Sequence, residues 1–187
     1  MKIYVVDNYD SFVYNIVHLV KELGFTDIRV EKNDRIDLDE MATYDKIILS
    51  PGPGVPVEAG QMMAVIERFH RSHTMLGVCL GHQAIGEYFG WPLQRLQEPL
   101  HGIASALEIL NRQDLFADLP ETIQIGHYHS WVLGEGEHSE LEVLAVDPQS
   151  NIMALRHKEY PVFGVQFHPE SVLTESGKTI LNNWLHL

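Results

Sequence analysis

The chain holds a single cysteine, Cys79, and the residues around it constrain the fold more than any other feature. An apolar run ends at Cys79, with Gly77 two residues before it and Gly81 two residues after it, and a helical pattern follows. Small neighbours allow a sharp strand-to-helix turn that exposes the side chain between them. A thiol placed there lies at a helix N-terminus, where the helix dipole favours the reactive thiolate. A lone cysteine is otherwise most often a buried structural residue, and the flanking glycines favour a nucleophile instead.

The composition is that of a globular protein and excludes several classes of function. With 187 residues, 45% of them hydrophobic, we expect one domain spanning residues 1–187. The sequence holds no apolar run long enough for a membrane span and no signal-peptide pattern, so we expect a cytoplasmic protein without a membrane partner. A formal charge of −13 opposes binding to nucleic acid. The unpaired cysteine agrees with a reducing compartment.

Strand and helix patterns alternate in the first half of the chain. Short apolar runs predict strands at residues 3–6, 28–31, 46–49 and 74–78. Helical spacing predicts helices starting at Ser11 as N-cap, running from 58 to 69, and running from 82 to 89. This alternation predicts an α/β fold with a mostly parallel central sheet and helices on both faces.

The second half of the chain has a different pattern. Strands are predicted at residues 102–110, 122–129, 141–146, 152–156 and 162–167, with few helical stretches between them. Such a series favours an additional antiparallel β region or extensions of the central sheet. A helix over residues 176–187 closes the chain.

Three unusual loops follow strands of the parallel half. They comprise residues 7–11, 50–54 and 79–83. Because ligands bind outside the carboxyl ends of strands in open parallel sheets, we expect these loops to lie on one rim and to form one site.

A cysteine nucleophile needs a base and a group that orients the base. In an extended segment, His168 and Glu170 point to the same side, because side chains alternate along a strand. His168 would then take the proton from Cys79, and Glu170 would fix the imidazole ring. A His-x-Glu pair in a chain with 11 histidines is weak support when taken alone.

Acyl chemistry at a cysteine also needs an oxyanion hole, usually made of backbone N–H donors. The loop 50–54 offers accessible backbone at Gly52 and Gly54, whereas Pro53 has no N–H. Leu80 offers the amide that follows the nucleophile. A rigid turn after a strand explains the same loop equally well.

Taken together, segments 50–54, 77–83 and 164–170 resemble the class I (triad) glutamine amidotransferases, and the resemblance spans the whole chain. It implies the fold of that family, which is flavodoxin-like. It also implies Cys79 as nucleophile, His168 as base and then acid, and Glu170 as the group that orients His168. Oxyanion and glutamine-binding roles are implied for Gly52, Pro53, Gly54, Leu80, Gln83, Ser130 and Trp131.

Within the family, the sequence is similar to glutaminase subunits, called component II, of anthranilate synthase and aminodeoxychorismate synthase. The similarity implies glutamine as substrate, no cofactor or metal in this chain, and a chorismate-binding synthase subunit (component I) that holds Mg²⁺ and uses the ammonia. The anthranilate enzyme of tryptophan biosynthesis is favoured. The folate-pathway enzyme and a γ-glutamyl hydrolase remain alternatives, as does a non-catalytic binding module.

Three further features bear on partners and ligands. Ile103 and His127 stand where many relatives carry lysine and arginine, which affects the interface or the glutamine pocket. His127 and His129 are alternatively a two-histidine metal site. The loop at 7–12 is either a contact patch for the synthase or a packed helix start. We also expect the backbone of 52–54 to act as a switch, so that hydrolysis is slow until the synthase binds.

Overall fold

The computed structural model describes residues 1–136 and 140–187. Within these residues the strands are β1 (Ile3–Asp7), β2 (Ile28–Lys32), β3 (Lys46–Leu49), β4 (Thr74–Val78), β5 (Leu93–Ile109), β6 (Thr122–Leu133), β7 (Leu141–Val146), β8 (Ile152–His157) and β9 (Val162–Val165). They form one sheet in the order β2-β1-β3-β4-β9-β8-β7-β5-β6.

The sheet is parallel at one end and antiparallel at the other. Strands β2, β1, β3, β4 and β9 pair in parallel. From β9 onward, β8, β7, β5 and β6 pair antiparallel. The α/β fold with a parallel centre and an antiparallel addition is therefore confirmed.

Helices cover both faces of the parallel part. They are α1 (Val13–Glu22), α2 (Leu38–Met41), α3 (Met62–Phe69), α4 (Leu80–Tyr88) and α5 (Gly177–Leu185), with 3₁₀ turns at Pro56–Glu58 and Asp114–Phe116. In β1, Ile3 and Val5 pack with α1 and α5, whereas Tyr4 and Val6 pack with α3 and α4. Alternation of side chains along a strand thus feeds two apolar layers. None of the helices in the described residues is long and apolar enough to cross a membrane.

Several local predictions were wrong. Ser11 does not cap α1, which begins after Phe12; instead the carboxylate of Asp10 accepts a hydrogen bond from the Phe12 amide at 2.7 Å. The helix expected from Glu58 is a 3₁₀ turn followed by α3, which starts at Met62.

Two strands also differ from their predictions. β5 begins at Leu93, nine residues before the predicted start at 102, and its pairing with β6 shifts register twice. β9 ends at Val165, two residues before the predicted end at 167. It lies between β4 and β8 and joins the parallel sheet, which is the extension of the central sheet that the sequence pattern also allowed.

Candidate active site

The three loops predicted to meet are in contact at the carboxyl edge of β1, β3 and β4. The Asn8 side-chain amide donates to the carbonyl of Ser50 at 2.8 Å. Gly52 packs so closely that a Cβ built there would lie 2.5 Å from the Asn8 Cβ and 2.7 Å from a Leu80 methyl carbon. The segment after β9 reaches the same edge, because β9 is parallel to β4. Sheet topology therefore brings together residues that are far apart in the sequence.

Cys79 lies between β4 and α4 in a left-handed backbone conformation, with φ of 51°. A side chain at Gly77 would overlap the backbone of Gly81, and one at Gly81 would overlap the backbone of Leu49. The two glycines are therefore what allows the turn to be this tight. A strained conformation of this kind at a strand-to-helix turn is typical of nucleophiles. The Leu80 amide lies in the first turn of α4, where N–H groups lack helical acceptors.

His168 and Glu170 meet although they do not belong to a strand. Nδ1 of His168 lies 2.6 Å from a carboxylate oxygen of Glu170, and their side chains are 2% and 0% exposed. β9 ends at Val165, and the histidine backbone is held by Gly126, whose carbonyl accepts its N–H, and by Thr174, whose hydroxyl donates to its carbonyl at 2.6 Å.

The imidazole of His168 has an unusual proton affinity. Burial lowers its pKa, but hydrogen bonding to Cys79 and to Glu170, together with attraction to both groups as anions, raises the pKa to about 10. Nε2 is buried and makes no hydrogen bond of regular geometry within the described residues. Catalytic hydrogen bonds are often long before substrate binds. The arrangement favours the protonated imidazole of His168 next to Cys79.

A cavity of about 230 Å³ opens beside the thiol. It is lined by Gly52, Pro53, Gly54, Cys79, Gln83, Tyr128, His129, Ser130 and Trp131. Six of the seven residues expected for oxyanion and glutamine binding thus share one cavity with Cys79. The seventh, Leu80, is buried next to it with its side chain against Gly52. Apart from the family resemblance, the only sequence evidence that these residues share a site was that the loops 50–54 and 79–83 both follow parallel strands.

The two histidines considered as metal ligands, His127 and His129, are hydrogen-bonded to each other. Nδ1 of His127 lies 3.0 Å from Nε2 of His129, and Nδ1 of His129 lies 3.0 Å from the carbonyl of Trp131. Burial lowers the pKa of both, for His129 to about 4. Among residues 1–136 and 140–187, no group of three or more metal-binding side chains is found. His127 is thus part of a buried chain of hydrogen bonds, whereas Ile103 is exposed.

Sequence reasoning missed four residues at the site: Tyr128 and His129, which line the cavity, and Asn8 and Gln166. Asn8 is buried and holds the 50–54 loop. The Gln166 side-chain amide lies 3.6 Å from the sulfur of Cys79. The signal that could have found Gln166 is its place two residues before His168, which puts both on one strand face if the chain is extended.

Comparison with known proteins agrees with this geometry. A family model described as glutamine amidotransferase class-I matches residues 4–187. Anthranilate synthase component 2 of Saccharolobus solfataricus is 44% identical over 190 residues, which cover 97% of this chain and 96% of that protein. The protein of the same name from Pseudomonas aeruginosa is 43% identical, covering 96% and 92%. A crystal structure of a candidate component of GMP synthase from Thermoplasma acidophilum is 26% identical with a TM-score of 0.89, covering 100% of this chain and 92% of that one.

Proposed function

The chain belongs to the class I glutamine amidotransferases, and we propose that it is the glutaminase subunit (component II) of an anthranilate synthase. The observation that carries the chemistry is the position of Cys79, with its thiol beside His168 and at the wall of the cavity. The names of relatives at 43% and 44% identity support the choice of acceptor enzyme.

In the first step, the Cys79 thiolate attacks the side-chain amide carbon of glutamine, and the carbonyl electron pair moves to oxygen. Backbone N–H groups of Gly52 and Leu80 stabilise that oxyanion. The protonated His168 gives its proton to the amide nitrogen. The C–N bond then breaks, ammonia leaves, and a γ-glutamyl thioester remains on Cys79.

In the second step, His168 takes a proton from water while the water oxygen attacks the thioester carbon. The C–S bond breaks, glutamate leaves, and the electron pair returns to sulfur. Glu170 holds His168 in one tautomer throughout, since a carboxylate beside Nδ1 keeps a proton on that nitrogen. Gln83, Ser130 and Trp131 position the amino-acid end of glutamine, and Pro53 shapes the loop between the two glycines.

The ammonia has to reach its acceptor unprotonated, because ammonium has no free electron pair. We therefore place the second reaction on a separate chorismate-binding synthase subunit, which holds Mg²⁺ and converts chorismate and ammonia into anthranilate and pyruvate. The chain itself needs no cofactor in this scheme. The complex acts in the cytoplasm, in tryptophan biosynthesis.

The test is to replace Cys79 by serine and assay the complex with the synthase subunit. Glutamine-dependent anthranilate formation should be lost, and formation from added ammonium salt should be kept. Loss of both activities in a folded complex would contradict this division of labour. Glutamine-dependent formation of aminodeoxychorismate instead of anthranilate would assign the chain to the folate pathway. Full glutamine or γ-glutamyl peptide hydrolysis without any synthase would favour a hydrolase.

A further inference from the structure

Gln166 is a fully buried polar residue that no step described above uses. Its side chain is 0% exposed and its backbone N–H donates to the carbonyl of Met153 at 2.8 Å. The chain is thus fixed just after β9, on the side of the sheet where Cys79 turns into α4. Burying an amide is costly unless its donors and acceptors are paired, so its partners need an explanation.

The orientation of the Gln166 amide follows from its neighbours. The carbonyl of Trp131 can only accept, so the end of the Gln83 side chain that lies 3.0 Å from it is the NH₂ group. That same nitrogen lies 3.0 Å from the other amide, so it donates to the oxygen of Gln166. The remaining end of Gln166, 3.6 Å from the sulfur of Cys79, is therefore its NH₂ group.

From this chain of hydrogen bonds we propose that Gln166 is an additional catalytic group, whose side-chain N–H stabilises the Cys79 thiolate. The inference rests on the proposed function, since it concerns the same nucleophile. Hydrogen bonds to a charged group favour its ionised form, so the thiol ionises at lower pH when this donor is present. The same donor faces the sulfur when the C–S bond of the thioester breaks and the electron pair returns to sulfur.

The link through Gln83 ties this donor to the substrate cavity. Both protons of the Gln83 amide nitrogen are engaged, one by Trp131 and one by Gln166. Gln83 can thus contact a bound amino acid through its carbonyl oxygen while its nitrogen holds Gln166 against the thiol. Gln83 is accordingly a positioning residue for Gln166 as well as a wall of the cavity.

The lone cysteine makes the test direct. Alkylation of the free chain by iodoacetamide, followed as a mass increase, reports on Cys79 alone. In Gln166→Met, which keeps the length but loses the donor, the midpoint of the pH profile of alkylation should rise by about one pH unit. The rate below the midpoint should then fall about tenfold, as should kcat/KM for glutamine in the complex.

A second variant and a control keep the result decisive. Gln166→Glu keeps the shape and the acceptor for Gln83, and its carboxylate should raise the alkylation midpoint in the same direction. Gln124→Met, at an exposed position of β6, should leave the midpoint and kcat/KM unchanged. Thermal unfolding identifies variants that fold, and if the Met variant does not, the Glu variant decides.

Failure of the Gln166 proposal and failure of the proposed function give different results. An unchanged alkylation midpoint in a folded Gln166 variant would overturn the proposal and leave the glutaminase assignment intact, even if the variant melts at a lower temperature. A wild-type chain whose alkylation midpoint lies below that of the Gln166 variants, yet which forms no product from glutamine with the synthase, would overturn the proposed function and not the contact between Gln166 and the thiolate.

Discussion

The carboxylate of Glu170 lies 2.6 Å from Nδ1 of His168, and both side chains are almost completely buried. A carboxylate accepts only, so Nδ1 carries a proton and Nε2 is left to face the thiol. Hydrogen bonding to Glu170 is also one of the causes that raise the pKa of His168 against burial. Glu170, separated from His168 by a single proline, thus sets the tautomer of the proposed base and contributes, with Cys79, to its positive charge.

Replacing Glu170 by glutamine should therefore remove most of the activity. The neutral amide can offer an N–H to Nδ1, which selects the wrong tautomer, and it lowers the pKa of His168. We expect kcat for glutamine to fall by about 10²-fold or more. Steady-state assays of the complex with glutamine and with ammonium salt measure this. Glu175→Gln, at an exposed carboxylate five residues later, is the control, and a Glu170→Gln enzyme within threefold of wild type would contradict the role.

A methyl group at Gly52 should disturb the loop that holds a proposed oxyanion donor. Its carbon would lie 2.5 Å from the Asn8 Cβ and 2.7 Å from a Leu80 methyl carbon, so the loop has to move. Overpacking of this kind costs about 1–3 kcal/mol of stability. We expect Gly52→Ala to lose that stability in urea unfolding and at least about tenfold in glutamine turnover.

The control variant Gly90→Ala separates a general loss of stability from a specific loss of glutamine turnover. Gly90 has φ of +83° and open space around it, so alanine there adds backbone strain without a contact to the site. Its stability should fall by about 1 kcal/mol while glutamine turnover stays at the wild-type level. If Gly52→Ala and Gly90→Ala turned over glutamine at the same rate, close packing at Gly52 would not be needed for activity.

Partner binding should accelerate glutamine hydrolysis. The loop 50–54 holds one proposed donor and contacts Asn8, which follows β1 at the same edge as the exposed Tyr9. A synthase that binds this edge has a direct contact path to Gly52. We expect glutamate release to rise severalfold when the synthase and chorismate are added. Equal rates with and without them would show that the site is active without any switch.

The sequence was sufficient for the inner strands β1, β3 and β4 because they are buried on both faces. After a polar first residue, the runs 46–49 and 74–78 hold only apolar residues and glycine, and their lengths and ends were predicted correctly. By contrast, the first part of β5 is largely exposed, and the leucines in residues 93–101 do not alternate as they do in a half-buried strand. Its pairing with β6 holds it in the sheet, and this tertiary contact cannot be inferred from local composition.

The same distinction applies within the site. The residues Cys79, Gly52 and His168 lie in segments with unusual composition, and the sequence identified all three. Asn8 and Gln166 act through contacts with parts of the chain 42 and 87 residues away. The place of Gln166 two residues before His168 is the one local signal for its position, and nothing near Asn8 predicts its contact with Ser50, so these contacts had to come from the structure.

Acid should destabilise the protein through His82. Burial lowers the pKa of His82 to about 3, so the folded protein keeps this ring neutral while the unfolded chain binds a proton below about pH 6.5. Stability is therefore lost as pH falls from about 6.5 toward 3, by about 1.4 kcal/mol for each pH unit from this group. Urea unfolding of wild type and His82→Leu at several pH values between 7 and 4 measures the difference.

In His82→Leu, the free energy of unfolding should fall less steeply as the pH decreases, since leucine does not titrate. Some slope remains, because burial also lowers the pKa of His129, to about 4. His186→Asn, at an exposed position, should reproduce the wild-type slope. Parallel slopes for wild type and His82→Leu would show that the buried ring does not control acid unfolding.

Asn8 should matter for glutamine chemistry and not for the synthase. Its side-chain amide donates to the Ser50 carbonyl at 2.8 Å, its backbone N–H donates to the Ser50 hydroxyl at 2.9 Å, and its oxygen accepts from Asn33 at 3.0 Å. Asn8→Ala removes the side-chain contacts and frees the 50–54 loop, which contains Gly52. Since a small misplacement of a reacting group costs up to about 10²-fold, we expect glutamine-dependent synthesis to fall by about 10-fold to 100-fold.

Anthranilate formation from added ammonium salt by the same complex should stay at the wild-type rate, because ammonia bypasses this site. Asn111→Ala removes a side-chain hydrogen bond of similar length, to Glu142 at 2.9 Å, in another part of the fold. It should leave both rates unchanged. A folded Asn8→Ala complex with full glutamine-dependent activity would show that Ser50 and Gly52 keep their positions through the backbone alone.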